Sequence, residues 1–202
     1  MPSAAVKPVT LPTLEQIPTT ACSARYPGSK ISMVVVHRWG VSNWKSEAID
    51  GVIGYFRNPA NQVSSHIVYA GEQGKDAGRC VQMVDLVDKA WTEAAFNSVA
   101  VSVESSDRLW VGDDIAGLHR LARIVGWLLL HANPDGPLPP VDLEGTAVLT
   151  GRGFTRHGAL GVNGGGHPAC PTTSPHDPKW MLFKGLVKQE YDRGAFRTVW
   201  AK

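Results

Sequence analysis

Apolar and polar positions along the 202-residue chain follow two periods, one typical of strands and one typical of helices. Apolar residues spaced three or four apart predict three amphipathic helices, at 46–57, 113–132 and 178–191. Short runs rich in β-branched residues predict four strands, at 31–37, 66–70, 79–84 and 99–104. Strands interspersed with helices indicate the α/β class, with a mixed central β-sheet flanked by α-helices in a single domain.

Polar and glycine residues at the ends of these runs predict where the elements begin and turn. Ser46 is placed to cap the first helix, Asp113 or Asp114 the second, and Asp177 followed by Pro178 the third. The glycine-rich stretch 71–78 permits a hairpin between the second and third strands.

The beginning of the chain has a different composition. Residues 1–29 contain five prolines and little periodicity, which predicts an extended N-terminal arm ahead of a main domain at 30–202. We interpret the arm as a remnant of, or a connector to, another module. The first residues have no basic start followed by an apolar core, so the sequence predicts no secretory signal.

Charge and cysteine content narrow the classes of partner. The formal net charge is +2 and no Lys/Arg cluster stands out, which argues against a nucleic-acid partner. No apolar stretch approaches the roughly 20 residues of a membrane span, so we expect no membrane insertion.

Three cysteines cannot all pair within one chain, so at least one is free or bound to metal. Cys22 and Cys80 could form a bridge, although two inert thiols are the better prediction for a reduced cytoplasm.

Two histidines and one cysteine lie where metal-binding atoms would be accessible. His37 ends the apolar run 33–36, His157 opens a glycine-rich segment, and Cys170 precedes Pro171 in a loop. A strand-end histidine is more often a packed residue than a ligand, but the polar, glycine-rich setting of His157 argues against a core role. Together the three side chains can bind zinc and leave a position open for water, which is typical of a hydrolase.

A zinc-bound water needs a group that takes its proton and later delivers it to the leaving amine. Glu104 is the candidate, because it lies on the polar face of the strand at 99–104 and can point into the same cleft as a ligand on a neighbouring strand. Its alternative role is that of a solvated glutamate at a strand end.

These residues resemble a known family when they are read in order along the chain. The stretches that carry the resemblance are Met33 to His37, Val63 to Tyr69, Val81 to Val84, Lys89 to Trp91, Asn97 with Glu104, and His157 with Ala169 to Pro171. Over roughly residues 30–192 the chain is similar to the zinc-dependent N-acetylmuramoyl-L-alanine amidases of type 2, a family that includes phage endolysins and peptidoglycan recognition proteins.

The resemblance implies zinc ligands at His37, His157 and Cys170 and a catalytic carboxylate at Glu104. It also implies a mixed sheet with the metal in a groove on one side, and bacterial peptidoglycan as the partner. Two substrate-wall positions depart from the family, with Ser65 and Thr92 in place of its Tyr and His. Its usual oxyanion lysine is also replaced, by Pro168.

The nearest side chain able to support an oxyanion is His167, which we assign that role; an alternative zinc ligand or a loop residue without chemistry are the competing interpretations. Trp39, His66 and Trp91 are the candidate substrate-binding residues, although an indole is more often simple packing. We expect a monomer.

The function that this sequence predicts is hydrolysis of the amide between N-acetylmuramic acid and L-alanine, as in an endolysin held in the host cytoplasm until its release to the cell wall. The alternatives are a non-catalytic peptidoglycan-binding recognition module and a different metallohydrolase acting on a small amide.

Overall fold

A six-stranded mixed sheet forms the centre of the protein in the computed structural model, which describes residues 14–40, 48–144 and 151–194. Its strands are β1 Glu15–Gln16, β3 Met33–Arg38, β4 Ile67–Tyr69, β5 Cys80–Gln82, β7 Ala100–Ser105 and β8 Gly153–Arg156. They lie side by side in the order β1, β5, β4, β7, β3, β8. The β4–β5 pair is antiparallel and the other pairs are parallel, which confirms the predicted mixed sheet and the predicted hairpin.

Both faces of this sheet are covered, which explains why β3 is an almost uninterrupted apolar run. The helices α3 (Ile115–His131) and α4 (Pro178–Asp192) pack on one face, where Val34 and Val36 contribute to the largest apolar cluster. The helix α1 (Ile49–Arg57) covers Val68 and Val81 on the other face. The side chain of His37 is 2% exposed.

The predicted long helices begin at the predicted caps. The Asp114 carboxylate accepts a hydrogen bond from the backbone N–H of Gly117 at 2.8 Å, and the Asp177 carboxylate accepts one from Lys179 at 2.8 Å. Ser46, the predicted cap of α1, lies outside the described residues. The first backbone N–H of α1, that of Ile49, donates instead to the Asp76 carboxylate from the β4–β5 loop at 3.0 Å.

The described part of the predicted N-terminal arm belongs to the domain and is not a separate extension. Glu15–Gln16 adds a parallel edge strand beside β5, and β2 (Cys22–Ala24) pairs with β6 (Asp88–Ala90) in a second, two-stranded antiparallel sheet. Ala21, which lies between β1 and β2 along the chain, is fully buried. The boundary expected at residue 29 therefore does not separate two bodies within the described residues.

Besides β1 and β2, the elements that the sequence did not predict include β6, β8, the helix α2 (Asp107–Val111) and a 3-10 turn at Ala94–Phe96. The strand β8 matters most for function, because it adds the sheet edge from which His157 emerges.

Among the helices of the described residues, none combines the length and apolar character needed to cross a bilayer. All three cysteines are free, as predicted for Cys22 and Cys80.

Candidate metal centre and cleft

Three adjacent parallel strands end at the same edge of the sheet, and this edge carries the candidate chemistry. His37 on β3 is directly in register with Glu104 on β7, and Val36 is in register with Arg156, the last residue of β8. His157 therefore follows its strand beside His37, and the two imidazole rings lie 4.2 Å apart, centroid to centroid. The carboxyl ends of parallel strands are a common place for a site in an open sheet.

The hydrogen bonds of both imidazoles leave the same ring nitrogen available. The Nε2 of His157 lies 2.6 Å from the carbonyl oxygen of Gly164; because a carbonyl only accepts, Nε2 carries the proton and Nδ1 keeps a lone pair. The Nε2 of His37 lies 3.2 Å from Glu93 Oε1, whereas its Nδ1 faces Glu104 Oε1 at 3.7 Å. Each ring can thus present Nδ1 to a metal.

Backbone contacts fix the loop that carries Cys170. The backbone N–H of Gly158 donates to the Cys170 carbonyl at 2.7 Å, and the Arg38 N–H approaches the Cys170 sulfur at 3.4 Å. Gly158 allows this close approach, since a Cβ there would lie 2.4 Å from the carbonyl oxygen of Pro168. The loop is thereby tied to Arg38, the last residue of β3, and to Gly158, which follows β8.

Arg156 strengthens the same connection from within the sheet. Its guanidinium donates to the carbonyls of Pro168 and Thr172, at 2.9 and 3.1 Å, and forms a two-point ion pair with Glu144 at 2.7 Å. Paired donors to a carboxylate fix the orientation of an arginine. Arg156, which directly precedes the candidate ligand His157, therefore holds the loop that carries the candidate ligand Cys170.

The side chains of His37, His157 and Cys170 converge, each offering one ligand atom, with those atoms all within 4.8 Å of one another. Two imidazole nitrogens and a thiol sulfur are donors that zinc accepts, and a set of three is typical of catalytic sites with an open position. The donor set therefore fits zinc.

Burial shifts the pKa values of the two histidines and of the cysteine in opposite directions. It lowers the pKa of His37 to about 3, helped by nearby His167, and lowers the pKa of His157 to about 3, helped by His37, so both imidazoles are neutral at neutral pH. Burial also raises the pKa of the Cys170 thiol to about 12, and the nearby Glu104 carboxyl group adds to this shift. A metal must therefore displace the thiol proton when it binds.

Glu104 lies beside His37, and its carboxyl group has few polar contacts with the described residues. The residue is 8% exposed, and its Oε2 has no hydrogen-bond partner within the described ranges. Burial raises its pKa well above the usual value, and the neighbouring carboxyl groups of Glu93 and Asp107 act in the same direction. A carboxyl group in such a setting is suited to proton transfer.

A cleft of about 880 Å³ opens above these residues. One wall is α1, through Gly51, Val52 and Tyr55, and the opposite wall is the loop from Gly166 to Cys170. His37, Glu104 and His157 also line it. The exposed His167 lies on the loop wall, with its ring 5.0 Å from that of His157, which places an imidazole at the rim of the centre.

The structure brings one of the three predicted substrate-binding residues to the cleft. Trp39 lines the cleft. Trp91 is not among the cleft-lining residues; it is half-buried, and its indole N–H donates to Ser23 Oγ at 3.1 Å. His66 is fully buried and accepts a hydrogen bond at Nδ1 from the backbone N–H of Ser102 at 3.0 Å, so no surface remains for a substrate.

Glu93 is the site residue that sequence reasoning missed. It is fully buried beside His37, and its position in the short turn 91–97 gives no periodic signal. Burial raises its pKa to about 8, against the lowering effects of His157 and Arg25. The only available indication was its place two residues after Trp91, in the motif that carries the family resemblance.

Comparisons with known proteins identify the fold. No protein-family model matches the chain, and no curated protein matches its sequence. Among solved structures, the Staphylococcus aureus hydrolase AmiA matches with a TM-score of 0.67 at 15% identity, covering 93% of this chain and 88% of AmiA.

Two further solved structures give the same result. The catalytic domain of PlyG matches with a TM-score of 0.56 at 17% identity, covering 89% of this chain and 95% of that domain. A structure of the E90A mutant of PlyL matches with a TM-score of 0.56 at 14% identity, covering 87% and 98%. The chain therefore has the fold of AmiA, PlyG and PlyL, as its resemblance implied.

Proposed function

We propose that this protein is a zinc-dependent N-acetylmuramoyl-L-alanine amidase acting on bacterial peptidoglycan. The observation that carries the proposal is the convergence of His37, His157 and Cys170 within 4.8 Å beside Glu104, on the floor of a cleft large enough for a glycan-linked peptide. The motif resemblance supplies the substrate class. The shared fold supports it, because AmiA is a hydrolase and PlyG is represented by a catalytic domain.

The reaction breaks the C–N bond between the lactyl carbonyl of N-acetylmuramic acid and the amino group of L-alanine. When bound, zinc would supply a Lewis acid that polarises this carbonyl and lowers the pKa of a coordinated water. His37, His157 and Cys170 would hold the metal. Glu104 takes the proton of the attacking water and passes it to the departing amine nitrogen, so that a carboxylate and a free amine result.

His167 is assigned to the developing negative charge on the carbonyl oxygen. Its imidazole is exposed on the loop wall of the cleft, close to His157. A ring N–H at this position can donate a hydrogen bond to an oxyanion. Trp39 on the cleft wall offers an apolar surface to the sugar or the peptide.

Chelation tests the dependence on metal. Removing zinc with a chelator is expected to stop release of free amines from purified cell walls, because the proposed reaction needs the metal. Adding zinc back should restore the release, because the folded protein keeps the three ligand side chains together. Undiminished release from the metal-free protein would contradict the zinc centre. Retention on cell walls without any release, in the zinc-loaded protein, would favour the alternative of a non-catalytic recognition module.

A further inference from the structure

Glu93 is a buried carboxyl group that the reaction described above does not use. Its side chain is fully inaccessible to solvent and does not line the cleft, yet Oε1 lies 3.2 Å from His37 Nε2. Its other oxygen, Oε2, has no hydrogen-bond partner among residues 14–40, 48–144 and 151–194. Burying a carboxyl group is costly unless it is hydrogen-bonded or paired, and Oε1 has such a partner in His37.

The turn around Glu93 is built to hold it in place. The side-chain oxygen of Asn97 accepts hydrogen bonds from the backbone N–H groups of Thr92 and Glu93, at 3.0 and 2.6 Å. Thr92 is further anchored through its hydroxyl to the Ser64 carbonyl. The Thr92 hydroxyl also lies 3.1 Å from the Ser102 hydroxyl on β7, the neighbour of β3, so the turn that carries Glu93 is held beside the strand of His37.

The two nitrogens of His37 face different surroundings. Nδ1 faces Glu104, which lines the cleft, and Nε2 faces Glu93, which does not. For His157, the Gly164 carbonyl fixes which nitrogen carries the proton; Glu93 is the corresponding group for His37. Metal-bound histidines usually donate their second ring N–H to such an outer partner, which orients the ring and strengthens it as a ligand.

We propose that Glu93 is the positioning residue of the metal centre: its carboxyl oxygen accepts the Nε2–H of His37 and holds Nδ1 toward the metal. The inference rests on the proposed zinc site. It assigns to this chain an outer partner provided by the turn at 91–97, acting through His37 and not on the substrate.

Two variants of equal length isolate the hydrogen bond. Glu93→Met fills the same space without a good acceptor, whereas Glu93→Gln keeps a carbonyl oxygen that can accept the Nε2–H. Zinc affinity is measured by competition with a chromophoric chelator. We expect Glu93→Met to lose about 10- to 100-fold in affinity, the usual cost of removing an outer partner, and Glu93→Gln to recover most of it.

Glu190 offers a matched control, because it is a glutamate that is only 3% exposed but lies on α4, in ion pairs with Arg123 and Arg193. Glu190→Gln should leave zinc affinity unchanged. Equal affinities for wild type and Glu93→Met, or equal losses for the Met and Gln variants, would overturn the role of Glu93. Failure of the wild type to bind zinc would instead overturn the proposed function.

A spectroscopic measurement on the unmodified protein does not depend on the folding of any variant. In zinc-loaded protein with 15N-labelled histidine, the Nε2–H proton of His37 should be observable, slowly exchanging with water and shifted downfield by its bond to Glu93. Rapid exchange of that proton, or zinc bound at Nε2, would overturn the proposal. In Glu93→Gln the same proton should persist and move upfield.

Discussion

Replacing Glu104 by glutamine is expected to lower the rate of amide hydrolysis on peptidoglycan by roughly 10²- to 10⁴-fold, the range typical of lost general acid–base catalysis. The amide keeps the shape of the side chain beside His37 but can neither accept nor return the proton. Oε2 of Glu104 has no partner among the described residues, so the substitution disturbs little else. The rate is measured as release of free amines from purified cell walls.

Zinc content and thermal stability of Glu104→Gln should remain close to those of the wild type. Glu190→Gln makes the same chemical change at a buried site on α4 and should keep the wild-type rate. If Glu104→Gln hydrolyses cell walls as fast as the wild type, Glu104 is a structural residue and the proton must be carried by another group.

Replacing Cys170 by serine should weaken zinc binding more strongly than the approximately 10- to 100-fold that loss of an outer partner costs. A hydroxyl is a far poorer zinc ligand than a thiolate, and the remaining His37 and His157 supply only two donors. Hydrolysis should fall in parallel. The measurement is metal content after dialysis, combined with chelator competition.

Cys22 provides the thiol control, since it is half-buried like Cys170 but pairs its strand with β6 and is not part of the ligand cluster. Cys22→Ser should retain zinc and activity. Full zinc occupancy in Cys170→Ser would move the third ligand to another side chain, with His167 first because its ring lies 5.0 Å from that of His157.

The parts of the fold that the sequence predicted are those with strong local signals. The apolar run ending at His37 marked the central strand, and Asp114 and Asp177 marked the starts of α3 and α4. The strand β8 was missed because Gly153–Arg156 contains one large apolar residue, Phe154, and depends on pairing with β3. The short strand β1 is likewise defined by its partner β5 and not by its own pattern.

The candidate site divides in the same way. His37, Glu104, His157 and Cys170 could be named from strand ends, a glycine-rich loop and the family resemblance, and the structure brings them together. Glu93 could not be named, because a glutamate in a short turn has the pattern of a solvated residue and its burial depends on how the turn packs on β3. His66 was among the candidate substrate-binding residues. The sequence pattern shows that it begins a strand, but not that Ser102 and Asp88 enclose its ring.

The most direct test of the account is the identity of the bond that the zinc-loaded protein breaks in purified peptidoglycan. We predict new α-amino groups on L-alanine, identified by end-group labelling of the released peptides, with no increase in reducing sugar ends. Glycan cleavage by most glycosidases requires two carboxyl groups that flank the sugar bond, and the cleft-lining residues described here include one carboxylate, Glu104. Reducing ends formed without free L-alanine amines would contradict the amidase assignment.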